Sequence, residues 1–190
     1  MADFISAFHK TMVHEGFYAD HPADRGGETY RGIARNFHPD WPGWETIEGM
    51  KAAGQIKGGK LLIAPSTTEL SLNKQVMEFY FSEYWMPLKL EEFKHQLLAE
   101  KVFDVAVNCG LKKSAEMLQQ ALNVVMGAGL DVDGKVGPLT LRTVNGRTKR
   151  DAETIETFFR VLLGYHYIRI IYNNPTQRTF VHGWGARVLS

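Results

Sequence analysis

Apolar residues recur at helical spacing in several stretches of this chain, and glycine, proline and aspartate punctuate the intervals between them. Phe4, Ile5, Phe8 and Met12 form the first such stretch, with Asp3 placed to cap it. This predicts a helix from about residue 3 to the edge of Glu15. From residue 16 to 43 the pattern breaks into turn formers, which predicts loop with a short hairpin near residues 29–34. Residues 46–53 suit a short helix and residues 54–65 a loop. Ser66-Thr67-Thr68-Glu69 has the spacing of a capping box. There the Ser hydroxyl accepts from the backbone three residues on, and the Glu side chain reaches back. The helix it opens should carry Leu72, Val76, Phe79 and Tyr80 on one face and stop near Trp85, before Pro87.

A second block begins near Glu91. Phe103, Val105, Ala106 and Val107 predict a buried helix ending at Gly110; Ala115, Leu118, Ala121, Leu122 and Val125 predict another, ending before Gly127. A tight turn follows at residues 131–134, then a short helix with Pro138 in its first turn. The last helix, about 151–172, carries Phe158, Phe159, Leu162, Leu163, Ile168 and Ile171. That density predicts a central helix packed on several neighbours, with Phe158, Leu162 and Ile168 buried against the first block. The fold class is mainly α, or α+β with a small hairpin or loop lobe. Two lobes packed as one unit are expected, 1–94 and 95–190.

Composition narrows the function classes. The 190 residues suit one compact domain or two small lobes, and 44% hydrophobic content excludes a disordered chain. A formal charge of +1 argues against a nucleic-acid protein binding through bulk charge. The single cysteine, Cys109, excludes an intramolecular disulfide and has no neighbouring His or Asp to make it a nucleophile. Residues 1–10 lack the basic start and apolar core of a signal peptide, so synthesis in the cytoplasm is expected. The apolar segment 158–172 is too short and too interrupted by charge to span a bilayer.

Glu15 is the first candidate for chemistry. At a helix C-terminus beside Phe17 and Tyr18, the helix dipole and apolar surroundings would both raise its pKa and keep it protonated, as a general acid requires. Asp24 follows nine positions later on a turn-rich loop, close enough in sequence to return as a second carboxyl or to serve only as a turn former. The hydroxyls of Thr29 and Tyr30 come next. Metal readings fail on spacing. His14-Glu15 lacks the second histidine of a zinc-protease motif, because Tyr18 stands there. In a calcium loop built on Asp131 and Asp133, Gly129 and Thr140 would occupy ligand positions. Gly58-Gly59-Lys60 lacks the rest of a phosphate loop. No metal or cofactor is expected.

The run Glu15-Gly16-Phe17-Tyr18, Asp20 to Thr29 and Gly32-Ile33 resembles the signature of the family 108 glycoside hydrolases, muramidases that cut bacterial cell-wall glycan. The resemblance continues through Phe79-Tyr80, Tyr84-Trp85, Phe103 to Gly110, Leu118 to Leu122, Asp133 to Leu141 and Gly183 to Val188, nearly the whole chain. Phe17, His21, Ala23 and Arg25 depart from the common pattern. The resemblance implies Glu15 as catalytic acid, with Asp24 and Thr29 or Tyr30 completing the catalytic set. It implies Tyr18, Gly27, Glu28, Trp85 and Asn108 as substrate contacts, and peptidoglycan as the partner. A similarity to phage-type lysozymes, set on Gly32-Ile33, aligns Tyr30 with their Thr and leaves Thr29 adjacent. It implies a lysozyme-like fold with its cleft between a loop lobe and a helical lobe. Trp41, Trp44 and Trp85 are either sugar platforms or buried aromatics. Residues 118–141 resemble small peptidoglycan-binding modules, or else form a helix, turn and helix start needed only for packing. The expected product is a monomeric N-acetylmuramidase that relies on a holin or secretion apparatus to reach the wall or periplasm. A noncatalytic wall-binding or secretion-accessory protein is the alternative, and a zinc peptidase a distant third.

Overall fold

The computed structural model describes residues 1–12, 18–20, 26–57, 60–61 and 67–190. Glu15, Asp24 and the predicted cap residue Ser66 lie outside the described residues. The chain divides into two compact units, Met1–His14 with Glu83–Ser190, and Glu15–Ser82.

The larger unit is helical. Its first element, α1 (Phe4–Met12), buries Ala7, Phe8, Thr11 and Met12. Asp3 caps it as expected, accepting from the Ser6 amide at 2.7 Å, but Ile5 points to solvent. Phe4 packs edge-on against Trp85 at 5.5 Å and Phe103 at 5.8 Å. The helix α4 (Gln96–Cys109) presents that Phe103 and is buried along most of its length. At Gly110 the chain turns directly into α5 (Leu111–Met126), and Ser114 Oγ donates back to the Val102 carbonyl at 2.7 Å. Next come α6 (Pro138–Asn145), with its proline in the first turn, and α7 (Lys149–Asn173). Thr148 and Asp151 form a capping box at the start of α7, two residues ahead of the predicted start. A 3-10 segment (Pro175–Phe180) and α8 (Val181–Leu189) complete the unit, with Trp184 stacked on Tyr167 at 4.7 Å.

One expectation about α7 is corrected. It packs against α4, α5 and α8 through a single stripe, Ala152, Ile155, Phe159, Leu163 and Tyr167. Phe158 and Ile168 point to solvent and Leu162 is half-buried. High apolar density there reflects two separate faces, one in the core and one exposed, which composition alone cannot distinguish.

The smaller unit holds an antiparallel sheet of β1 (Tyr18–Ala19), β2 (Thr29–Tyr30) and β3 (Ile33–Ala34). Its hairpin lies at the predicted position. Arg31 and Gly32 have φ of 48° and 82°, so both turn residues are left-handed, as a two-residue hairpin with the strands' twist requires. Helix α2 (Gly43–Ala52) begins three residues earlier than expected. A second hairpin, β4 (Ile56–Lys57) and β5 (Lys60–Leu61), replaces part of the predicted loop. Helix α3 (Thr67–Tyr80) buries Leu72, Val76, Phe79 and Tyr80 as the spacing predicts. It runs on as a π-helical turn (Phe81–Trp85) and stops before Pro87. The architecture is mainly α with a small sheet, the class expected from sequence.

Candidate functional site

Thr29 and Tyr30 are neighbours on β2, so the pleat sends their side chains to opposite faces. The register pairs Tyr18 with Tyr30 and Tyr30 with Ile33 on one face; Ala19 and Ala34 flank Thr29 on the other. Tyr30 is fully buried, its ring stacked on Trp41 at 6.3 Å. Thr29 is half-exposed between two short side chains, and its hydroxyl donates to the Gly27 carbonyl at 3.1 Å. Of the two hydroxyls that sequence left open, Thr29 is the one a ligand can reach. Tyr30 belongs to the core.

The Tyr30 face carries a charged cluster that sequence reasoning did not anticipate. Glu28 is buried, with 9% of its surface exposed. Its Oε1 accepts from the Tyr18 hydroxyl at 2.8 Å and pairs with Lys51 Nζ at 2.7 Å, while Oε2 faces Arg35 Nε at 3.1 Å. Glu48 pairs in turn with Arg35 at 2.7 Å and Lys51 at 3.1 Å. Burial pushes the Tyr18 hydroxyl well above its usual range, and the hydrogen bond to Glu28 adds to it. Burial alone would lower the Lys51 pKa, but hydrogen bonds to Glu28 and Glu48 outweigh it and the net direction is up. Hydrogen bonding from Lys51 holds Glu48 below the ordinary carboxylate range. Tyr18 and Glu28, both expected as substrate contacts, are therefore occupied with each other and with two cations. The spacing of Glu28, Arg35 and Lys51 gave no signal of this, since they come from a loop, a turn and a helix.

Gly27 has an equally local explanation. Its φ is 67°, and a Cβ there would come within 2.9 Å of the Asn36 side chain. Glycine permits the loop to close on Asn36, whose backbone N–H donates to the Gly26 carbonyl at 3.1 Å. The Tyr80 hydroxyl donates to the Arg31 carbonyl at 2.7 Å and ties the hairpin turn to α3.

Of the two outcomes left open for the tryptophans, the structure shows the buried one. Trp41, Trp44 and Trp85 are all buried. Trp41 meets Trp44 edge-on at 5.1 Å, and Trp85 is sandwiched by Phe4 and Phe103, so no ring face is free for a sugar. Asn108 is exposed, but its Oδ1 accepts from the Tyr167 hydroxyl at 2.7 Å and from the Cys109 thiol at 3.3 Å. Burial pushes the Cys109 thiol up, the opposite of what a nucleophile needs.

In the larger unit a pocket of about 380 Å³ is lined by α1, α4 and α7 and includes Lys10, Glu100, Lys101, Asp104, Glu156 and Arg160. Its charges are matched within it: Lys10 pairs with Glu100 at 2.6 Å and Lys101 with Asp104 at 3.7 Å. Lys101 also donates to the Arg187 carbonyl at 2.5 Å, and burial lowers its pKa despite Asp104 nearby. Among the described residues, none of the expected site residues lines this pocket. Among the described residues no group of three or more metal-ligating side chains is brought together.

The segment resembling a wall-binding module is built around its own hydrogen bonds. Gln119 Nε2 donates to Asp133 at 2.7 Å and to the Lys135 carbonyl at 3.0 Å, and its Oε1 accepts from the Gly134 amide. Asn123 makes a reciprocal pair with the Leu130 backbone. The Gln, Asn and Asp-Gly positions thus fix the turn to α5.

Comparison with known proteins follows the same lines. The glycosyl hydrolase 108 family matches residues 8–110, and the family described as a predicted peptidoglycan domain matches residues 113–189. The solved structure of SagA from Brucella abortus is similar over 97% of this chain and 88% of that one, with a TM-score of 0.58 and 24% identity. No curated protein matches the chain. The likeness to SagA shows a shared fold, and the fold is mainly α with a small sheet, as a lysozyme-like architecture requires. The first family match covers more than half of the chain and contains Glu15, Asp24 and the Thr29 hairpin. The chain belongs to the glycosyl hydrolase 108 family.

Proposed function

We propose that the chain is an N-acetylmuramidase, hydrolysing the β-1,4 bond between N-acetylmuramic acid and N-acetylglucosamine in peptidoglycan. The observation that carries this reading is the family match over the segment holding Glu15, Asp24 and Thr29. Glu15 protonates the leaving glycosidic oxygen. Asp24 orients the attacking water or stabilises the oxocarbenium-like transition state, and the half-exposed Thr29 hydroxyl holds that water or a sugar hydroxyl. Tyr30 supports Thr29 from the core side of the strand. The cluster of Tyr18, Glu28, Arg35 and Lys51 keeps the hairpin rigid, so that Thr29 is positioned rather than searching. No cofactor enters. The match over 113–189 supports wall binding by the second region. Release by a holin or a secretion apparatus would bring the protein to its substrate.

Glu15→Gln keeps the side-chain shape and removes the transferable proton. Clearing of purified wall suspensions should fall at least about a hundredfold, the scale of general-acid catalysis, with circular dichroism unchanged. Mass spectrometry of the wild-type digest should show new reducing muramic ends. Wild-type activity from a folded Glu15→Gln protein would reject the assignment. Wall binding without any cleavage by the wild type would favour the noncatalytic wall-binding protein. We take the reaction to be inverting, with Asp24 serving a water across roughly 6.5–9.5 Å rather than attacking from about 5–5.5 Å. Proton NMR of fresh product decides this: an initial β-anomer would make Asp24 a nucleophile or electrostatic stabiliser.

A further inference from the structure

We propose that α7 is a self-association surface on which a second copy of this chain docks its own α7 in antiparallel orientation, about a two-fold axis at Tyr165. Opposite its core stripe, α7 exposes Phe158 (41%), Val161 (61%), Tyr165 (58%), Ile168 (64%) and Tyr172 (86%). Their spacing alternates three and four residues, which is the seam of a helix that pairs with another helix. A solvent-facing helix surface carries polar side chains at such positions, and here no acid or base interrupts the seam. Arg169, one position beyond Ile168, places its guanidinium over the Tyr165 ring, 5.9 Å from its centre.

The occupant follows from the order of the side chains. Aromatic, aliphatic, aromatic, aliphatic, aromatic reads the same from either end. Antiparallel pairing sets Phe158 level with Tyr172 of the second copy and Tyr165 against itself, and brings Val161 beside Ile168 at one residue's offset. Protrusion matches as well: the most exposed end meets the most recessed end, and the intermediate positions meet their equals. Parallel pairing would set the two Tyr172 residues together and leave a gap at Phe158. Antiparallel helix dipoles add a small favourable contribution. Each seam exposes on the order of 600 Å², so the pair would bury at most about 1,200 Å², the lower edge of stable protein interfaces. A net charge near zero leaves little repulsion between copies. The surface is self-complementary, as a two-fold interface must be. This departs from the monomer expected from sequence.

Sedimentation equilibrium of the full chain across the micromolar range should show a dimer. Tyr165→Glu should raise its dissociation constant at least about tenfold with circular dichroism unchanged, because it buries two facing charges on the axis; Tyr165→Phe should leave it unchanged. In a Cys109→Ser background, Tyr165→Cys should oxidise to a linked dimer and Val161→Cys should not. A wild-type monomer throughout the range overturns the proposal. So does efficient cross-linking by Val161→Cys, which only a parallel seam would give. The wall-lysis assay above is independent of these readouts.

Discussion

Tyr18 donates a 2.8 Å hydrogen bond to Glu28 across the first two strands of the small sheet, and the same carboxyl oxygen lies 2.7 Å from Lys51. A loop, a strand and a helix are joined at one buried carboxylate. Its loss should act through stability rather than through substrate contact. Glu28→Gln leaves Lys51 and Arg35 facing a neutral amide. Both cations keep about a third of their surface in water, which screens the loss to about 1–2 kcal/mol. Urea unfolding followed by hydrogen exchange at the hairpin amides measures it. Faster exchange confined to the Thr29 hairpin and α2, with lytic activity recovering at low temperature, is the expected outcome. Full protection with activity abolished would mean that Glu28 touches substrate.

The same cluster sets a pH window for the smaller unit. Glu48 has its pKa depressed by the fold, so its contribution is present above the unfolded value of about 4.3 and is lost as pH falls through the lower folded value. Lys51 is raised, so its contribution is complete below the unfolded value of about 10.4 and is lost as pH rises through the folded one. Tyr18 is raised too, and ionisation of the unfolded phenol near pH 10 pulls in the same direction as Lys51. Hydrogen-exchange protection of the hairpin should therefore hold between roughly pH 4.3 and 10 and weaken on both sides. Constant protection to pH 11 would show that the cluster contributes nothing.

Thr29 and Tyr30 separate the accessible hydroxyl from the buried one. Thr29→Val should lower turnover about ten- to hundredfold, the cost of losing a positioned group, with the melting temperature nearly unchanged. Tyr30→Phe should leave turnover close to wild type, because the ring keeps its stacking on Trp41. Steady-state lysis rates on a defined wall preparation distinguish them. The reverse ranking would put the catalytic hydroxyl on the core face.

A fragment ending at residue 94 should not fold or lyse. It removes Phe103, against which Phe4 and Trp85 pack, and Gln96 and Glu100, which bind Asp3 and Lys10. The seam of α1 would be left bare. Expression of 1–94 followed by circular dichroism tests this, and a soluble, lytic fragment would show that the first 94 residues are an independent domain.

Much of this protein is readable from local pattern. Helices α1, α3, α4, α5 and α7 follow from their apolar positions and α6 from the proline that starts it, and Pro87, Gly110, Gly127 and Pro138 mark ends, because backbone sterics act on a residue wherever it sits. The Arg31-Gly32 turn is fixed by the same local rule. Family membership is legible too, through the run from Glu15 to Ile33 that resembles the family 108 signature. Tertiary structure decided the rest. It joined α1 to α4 across more than eighty residues, a pairing that periodicity does not encode. It chose which face of α7 enters the core: Phe159 and Phe158 are adjacent and equally apolar, and only the position of α4, α5 and α8 separates them. It also turned Glu28 from a candidate substrate contact into a buried anchor. A carboxylate's role depends on which cations reach it, and Arg35 and Lys51 reach Glu28 only once the hairpin and α2 have packed together.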